Sequence, residues 1–128
     1  MSKTALQIVV EDSVIMSTRT AGAHSPFRGT VLLNPAEAPT SELPSIQVSV
    51  QRVATGVLDG ERQLLSLDSQ AMARAADGRL AWQFVCNLRP SGAMGSQVVL
   101  ITAEASYANR STPLRAIPAK STLWYRGV

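Results

Sequence analysis

The clearest pattern in the chain lies between residues 77 and 111, DGRLAWQFVCNLRPSGAMGSQVVLITAEASYANRS, where apolar and polar positions alternate in two runs, each preceded by turn residues. Successive side chains of an extended strand point to opposite faces, so strict alternation marks a half-buried strand. The first run places Leu80, Trp82, Phe84, Cys86 and Leu88 on one face, with Ala81, Gln83, Val85 and Asn87 opposite. The second follows Pro90-Ser91-Gly92 and Gly95. It places Val99, Ile101, Ala103, Ala105 and Tyr107 inward, and Val98, Leu100, Thr102, Glu104 and Ser106 outward. At roughly 2 kcal/mol per large apolar side chain, burying the inward residues of 80–88 contributes on the order of 10 kcal/mol before chain entropy is charged. This hairpin is core.

The same reading extends along the chain. TALQIVVED (4–12) predicts a strand with Leu6, Ile8 and Val10 on one face, and SVIMSTRT (13–20) continues it after a bend. AGAHSP is a loop, FRGTVLLNP (27–35) a strand, and AEAPTSELP a surface connection. SIQVSVQRV (45–53) alternates cleanly, Ile46, Val48 and Val50 against Gln47, Ser49 and Gln51; Asp59-Gly60 then signals a hairpin or loop. Residues 63–76 carry two patterns, with Leu64, Leu67, Ala71 and Ala75 at helical spacing inside a β context. Extended structure with room for one short helical turn is the expectation there. KSTLWYRGV (120–128) is a last strand, Leu123 and Tyr125 on one face and Trp124 on the other. About seven strands with turn signals between them predict an all-β, antiparallel sandwich. At 128 residues the chain is expected to form one domain over 1–128, with residues 1–20 as an N-terminal strand or arm.

Composition narrows the function. Hydrophobic residues are 45% of the chain and charged residues 16%, a globular balance whose low charge hints at a surface covered by a partner. The net charge of +3 comes from ten Arg and two Lys that never cluster, whereas nucleic-acid surfaces concentrate basic residues among aromatics. No nucleic-acid partner is expected. With one cysteine no intrachain disulfide can form. The N-terminus does not read as a signal peptide and no run reaches the roughly 18–20 apolar residues of a membrane helix. The expectation is a chain working where it is made, such as a virion or cytoplasmic assembly component, or a piece cut from an exported protein.

Catalytic chemistry finds little purchase. His24 is the sole histidine, beside Ser25 in a loop, and no nucleophile-elbow motif accompanies it. Cys86 falls on an inward face, where a free thiol behaves as a small hydrophobe. One Cys and one His cannot supply a zinc site. Glu37, Glu42, Glu61 and Glu104 are not spaced as a catalytic carboxylate pair. Asn109-Arg110-Ser111 is a formal glycosylation sequon read here as a turn. No catalytic, cofactor-binding or metal-ligating residues are therefore expected.

With these residues laid out, roughly residues 25–128 resemble the immunoglobulin-like β-sandwich domains of bacterial adhesins, large surface proteins and phage virions. The resemblance is carried by Gly29-Thr30-Val31 running to Pro35, the alternating Val48 and Val50, and Asp77-Gly78 ahead of Trp82. Leu88 to Gly92, and Ala108-Asn109-Arg110-Ser111 at the end of a long strand, complete it. Trp82 stands two residues farther from Asp-Gly than is usual in such domains, and residues 60–76 are longer. Calcium sits at domain junctions in some of these repeats, but Glu11-Asp12, Asp59, Asp68 and Asp77 form no D-x-D-x-D loop. The resemblance implies a non-enzymatic structural or adhesive module packed in a larger assembly. The alternative is a carbohydrate-binding accessory module of an enzyme, which needs an aromatic platform. In immunoglobulin-like topologies the last two strands are neighbours, so Val98, Leu100 and Trp124 form the expected contact patch, for a protein partner, self-association, or a cell-surface or carbohydrate ligand. A competing expectation has residues 1–20 folded over that patch.

Overall fold

A computed structural model of the chain describes residues 5–17, 25–36, 43–54, 57–68, 70, 72–88, 95–108 and 111–126. The architecture is all-β, with two sheets in a sandwich-like arrangement. The strands are β1 (Leu6–Val9), β2 (Ser13–Ser17), β3 (Ser25–Leu33), β4 (Ser45–Ala54), β5 (Val57–Leu67), β6 (Ala73–Arg74), β7 (Leu80–Leu88), β8 (Gly95–Ser106), β9 (Leu114–Arg115) and β10 (Ala119–Arg126). The smaller sheet has the order β1-β3-β7-β6. The larger runs β2-β10-β8-β4-β5, with β9 also pairing with β8. Pairing is antiparallel except between β2 and β10.

The inward residues of both sheets form one buried cluster, as the alternation predicts. Leu80, Trp82, Phe84 and Cys86 from β7 meet Val99, Ile101, Ala103 and Ala105 from β8, Ile46, Val48 and Val50 from β4, and Leu123 from β10. Tyr107 is also buried. The inventory is longer than about seven strands because β6 and β9 are only two residues long and the N-terminal segment supplies two strands.

That segment switches sheets. β1 pairs with β3 as far as Val9 opposite Thr30. The chain then crosses over: the Ser121 hydroxyl donates to the Glu11 carbonyl at 2.7 Å, and Thr122 N–H donates to the Asp12 carbonyl at 2.8 Å. Ser121 is the one buried polar residue among those described, and this bond satisfies its hydroxyl. β2 then runs parallel beside β10, Ser13 opposite Thr122. It therefore widens the larger sheet at its edge, and residues 13–17 do not lie across the outer face as the covering expectation required.

Asp59-Gly60 does not make the hairpin. β4 ends and β5 begins at the pair Ala54–Val57, so the reversal comes earlier and Asp59-Gly60 falls inside β5. From Gln51–Arg62 to Val53–Leu58 the chain advances two residues on β4 and four on β5, so the extra residues of β5 form a bulge. The tight conformations that suit Asp-Gly to a turn suit it equally to a bulge. Residues 63–67 are extended, and beyond them Asp68 Oδ1 accepts the N–H of Gln70 at 2.9 Å in a short turn before β6. The Asp77-Gly78 turn is realised, with Gly78 at φ +90°, a conformation other residues rarely adopt. Asp77 Oδ1 accepts Arg79 N–H at 3.1 Å and Arg79 Nε donates to Asp77 Oδ2 at 2.6 Å. These bonds hold the exposed Asp77 carboxyl below its ordinary pKa, the backbone bond most of all.

Candidate functional site

The register of β4, β8 and β10 settles which side chains share the outer face of the larger sheet. Leu100 stands opposite Lys120 on one side and Gln51 on the other; Val98 stands opposite Thr122 and Val53. Trp124, two positions beyond Thr122, continues the same face of β10, where diagonal neighbours lie within reach of an aromatic side chain. Trp124 is 49% exposed, while Val98, Leu100 and Val53 are half-buried. The structure thus brings Val98, Leu100 and Trp124 onto one face of adjacent strands. Two members were not read from the sequence. Val53 continues the outward series Gln47, Ser49, Gln51, and Leu64, 51% exposed, lies opposite Ser49 on β5. The parity of Val53 was the available signal; Leu64 sat in the stretch with two competing periodicities.

Charge frames this apolar strip. Lys120 and Arg62 lie along its middle row, and at the far end Arg115 Nε donates to Glu104 Oε1 at 2.9 Å across the β8–β9 pair. An exposed pair of this kind contributes little to stability; in the middle row Lys120 and Arg62 flank Leu100 and Gln51.

Among the described residues no group of three or more His, Cys, Asp or Glu is placed to hold a metal ion. Nor is any described helix long and apolar enough to cross a membrane. His24 and the sequon residues Asn109 and Arg110 lie outside the described residues. Cys86 is buried, its thiol donating to Gln63 Oε1 at 2.9 Å and linking β7 to β5 across the two sheets. Desolvation pushes its pKa up from 9.0 to about 11. Two consequences follow. At pH 8 the native thiol should react with Ellman's reagent at least ~100-fold more slowly than in urea, because a shift of two units cuts the thiolate fraction by about that factor. A native rate within tenfold of the unfolded rate contradicts the burial. The raised pKa also contributes stability that is complete below pH 9 and is lost as the pH rises through about 11, because the unfolded chain ionises first.

No family model matches the chain, and no curated protein matches it in sequence. Solved structures of similar shape exist. The ASH/PapD-like domain of human CEP192 (PapD-like domain 7) is 14% identical, with 100% of this chain and 90% of that one covered at a TM-score of 0.47. The Pseudomonas fluorescens alkylpurine DNA glycosylase AlkC, bound to DNA containing an abasic site analog, is 13% identical at a TM-score of 0.43. MtrC from Shewanella baltica OS185 is 10% identical at 0.42. The match covers 94% and 95% of this chain but only 31% of the glycosylase and 24% of MtrC. At these identities and scores the likeness carries no functional information.

Proposed function

We propose that this chain is a non-enzymatic immunoglobulin-like sandwich module, one folding unit over residues 1–128, that docks on a protein partner or a second copy through Val98, Leu100 and Trp124. The observation that carries the reading is the half-exposed indole of Trp124 sharing one face with the half-buried Val98 and Leu100, with Val53 beside Val98 and the exposed Leu64 on the same face of the sheet. Exposed apolar surface of this kind commonly marks contact surfaces, and aromatic side chains are favoured anchors in them. The low charged fraction supports the same reading, as does the resemblance of residues 25–128 to domains of adhesins and phage virions. A virion or virion-like component, or one domain of a bacterial surface adhesin, is the setting these features favour.

Light scattering on wild type and Leu100→Glu tests it. The wild type should assemble above its 13.6 kDa chain mass and the variant should remain a folded monomer. A monomeric wild type together with an unfolded Leu100→Glu makes Leu100 core and overturns the proposal. The carbohydrate-module alternative has one supporting feature, the exposed indole of Trp124; Phe27, Trp82, Phe84 and Tyr107 are all buried, so a platform of several rings is not assembled from the described residues.

A further inference from the structure

A second candidate site lies on the other sheet, where β1 departs. A pocket of about 390 Å³ opens there, lined by residues 9–11, 28–30 and 83–85. The β1–β3 ladder shows which backbone groups border it. Asn34 N–H donates to the Ala5 carbonyl at 2.9 Å, one step beyond the pair Leu6–Leu33. Hydrogen-bonded and non-bonded pairs alternate in an antiparallel ladder, so Leu32, Thr30 and Arg28 turn their N–H and C=O toward β1. Thr30 meets Val9, the last residue of β1. Arg28 would meet Glu11, but the Glu11 carbonyl has turned to Ser121 on the larger sheet. Two residues farther along β3, Pro26 has no N–H to offer. The open edge is one ladder step long, bounded by β1 on one side and by Pro26 on the other.

The side chains around that step are chemically mixed. Val9 and Val85, 45% and 44% exposed, form apolar walls; Val85 stands directly opposite Arg28. The Arg28 side chain is exposed and, among the described residues, has no hydrogen-bond or ion-pair partner, although Glu11 lines the same pocket. We propose that this pocket captures the C-terminal residue of a partner polypeptide, an aliphatic one. Its carboxylate sits on the Arg28 guanidinium, its N–H on the Arg28 carbonyl, and its side chain against Val9, with Val85 across β3. A through-running strand needs several free ladder steps, and this edge provides one. A chain end needs one step and an anion site, and guanidinium pairs with carboxylate in a two-pronged geometry.

The test uses the full chain and a fluorescein-labelled tetrapeptide ending in leucine, read by fluorescence anisotropy, as the free acid and as the C-terminal amide. The free acid should bind at least about tenfold more tightly than the amide, and Arg28→Gln should weaken it by at least about tenfold. Arg28 is exposed on the wet face of β3, so the urea midpoint of the variant should match wild type. Failure of wild type to bind the acid at about 10 mM overturns the proposal. Equal binding of acid and amide, or of wild type and Arg28→Gln, does the same. An amidated peptide with an internal glutamate that binds as well as the free acid overturns the chain-end assignment.

Discussion

Truncating Trp82 to alanine should lower the free energy of unfolding by about 3–5 kcal/mol, the range for a large buried aromatic replaced by a cavity. Trp82 is fully buried on β7 opposite Val31, and it heads the largest buried side chains of the core. Its indole Nε1 has no hydrogen-bond partner in the protein, so the loss is one of packing and burial, with no polar bond to add. Urea denaturation of Trp82→Ala followed by circular dichroism measures it. A loss under ~1 kcal/mol would mean that the faces of β7 are reversed.

The second large effect is at Gly29. It stands opposite Phe84 in the β3–β7 pair, and a Cβ built on it would lie 2.3 Å and 2.6 Å from the Phe84 ring and 2.8 Å from Val10 Cγ1. An aromatic ring laid over a cross-strand glycine covers backbone that would otherwise be bare. Phe84 is buried, and its ring meets Phe27 at a centroid distance of 6.5 Å, which closes retreat on that side. Gly29→Ala should cost about 1–3 kcal/mol by overpacking, and Gly29→Val more, because the added branches widen the clash. Stability of both variants by urea melts checks the order; a neutral Gly29→Val would show that the ring is free to move.

Much of this core is legible in the sequence because period-two alternation is a local property. Leu80 to Cys86, Val99 to Tyr107 and Ile46 to Val50 are buried on the faces their parity assigns. The same parity puts Val98, Leu100 and Trp124 outward. What alternation does not encode is partnership. Residues 4–20 read as one strand with a bend, yet Leu6–Val9 joins the smaller sheet and Ser13–Ser17 the larger, because the backbone of Thr122 and the hydroxyl of Ser121, more than a hundred residues away, capture the carbonyls of Asp12 and Glu11. Asp59-Gly60 misleads for a related reason: its dihedral preferences are the same in a turn and in a bulge, and only the pairing of Ala54 with Val57 decides between them. The pocket beside Arg28 is illegible locally, since it exists only where β1 departs.

Adjacent residues on β8 give the sharpest test of the central claim, that one face of the larger sheet is core and the other is free to dock. Ile101 is fully buried and Leu100 half-buried on the opposite face. A charge at Ile101 must be buried unpaired, and a charge at Leu100 can reach water. Urea melts of Ile101→Glu and Leu100→Glu, run side by side, should show the first unfolded or destabilised by more than about 4 kcal/mol and the second within about 1 kcal/mol of wild type. Equal destabilisation of the two would contradict the account, because the outer face would then be as buried as the inner one.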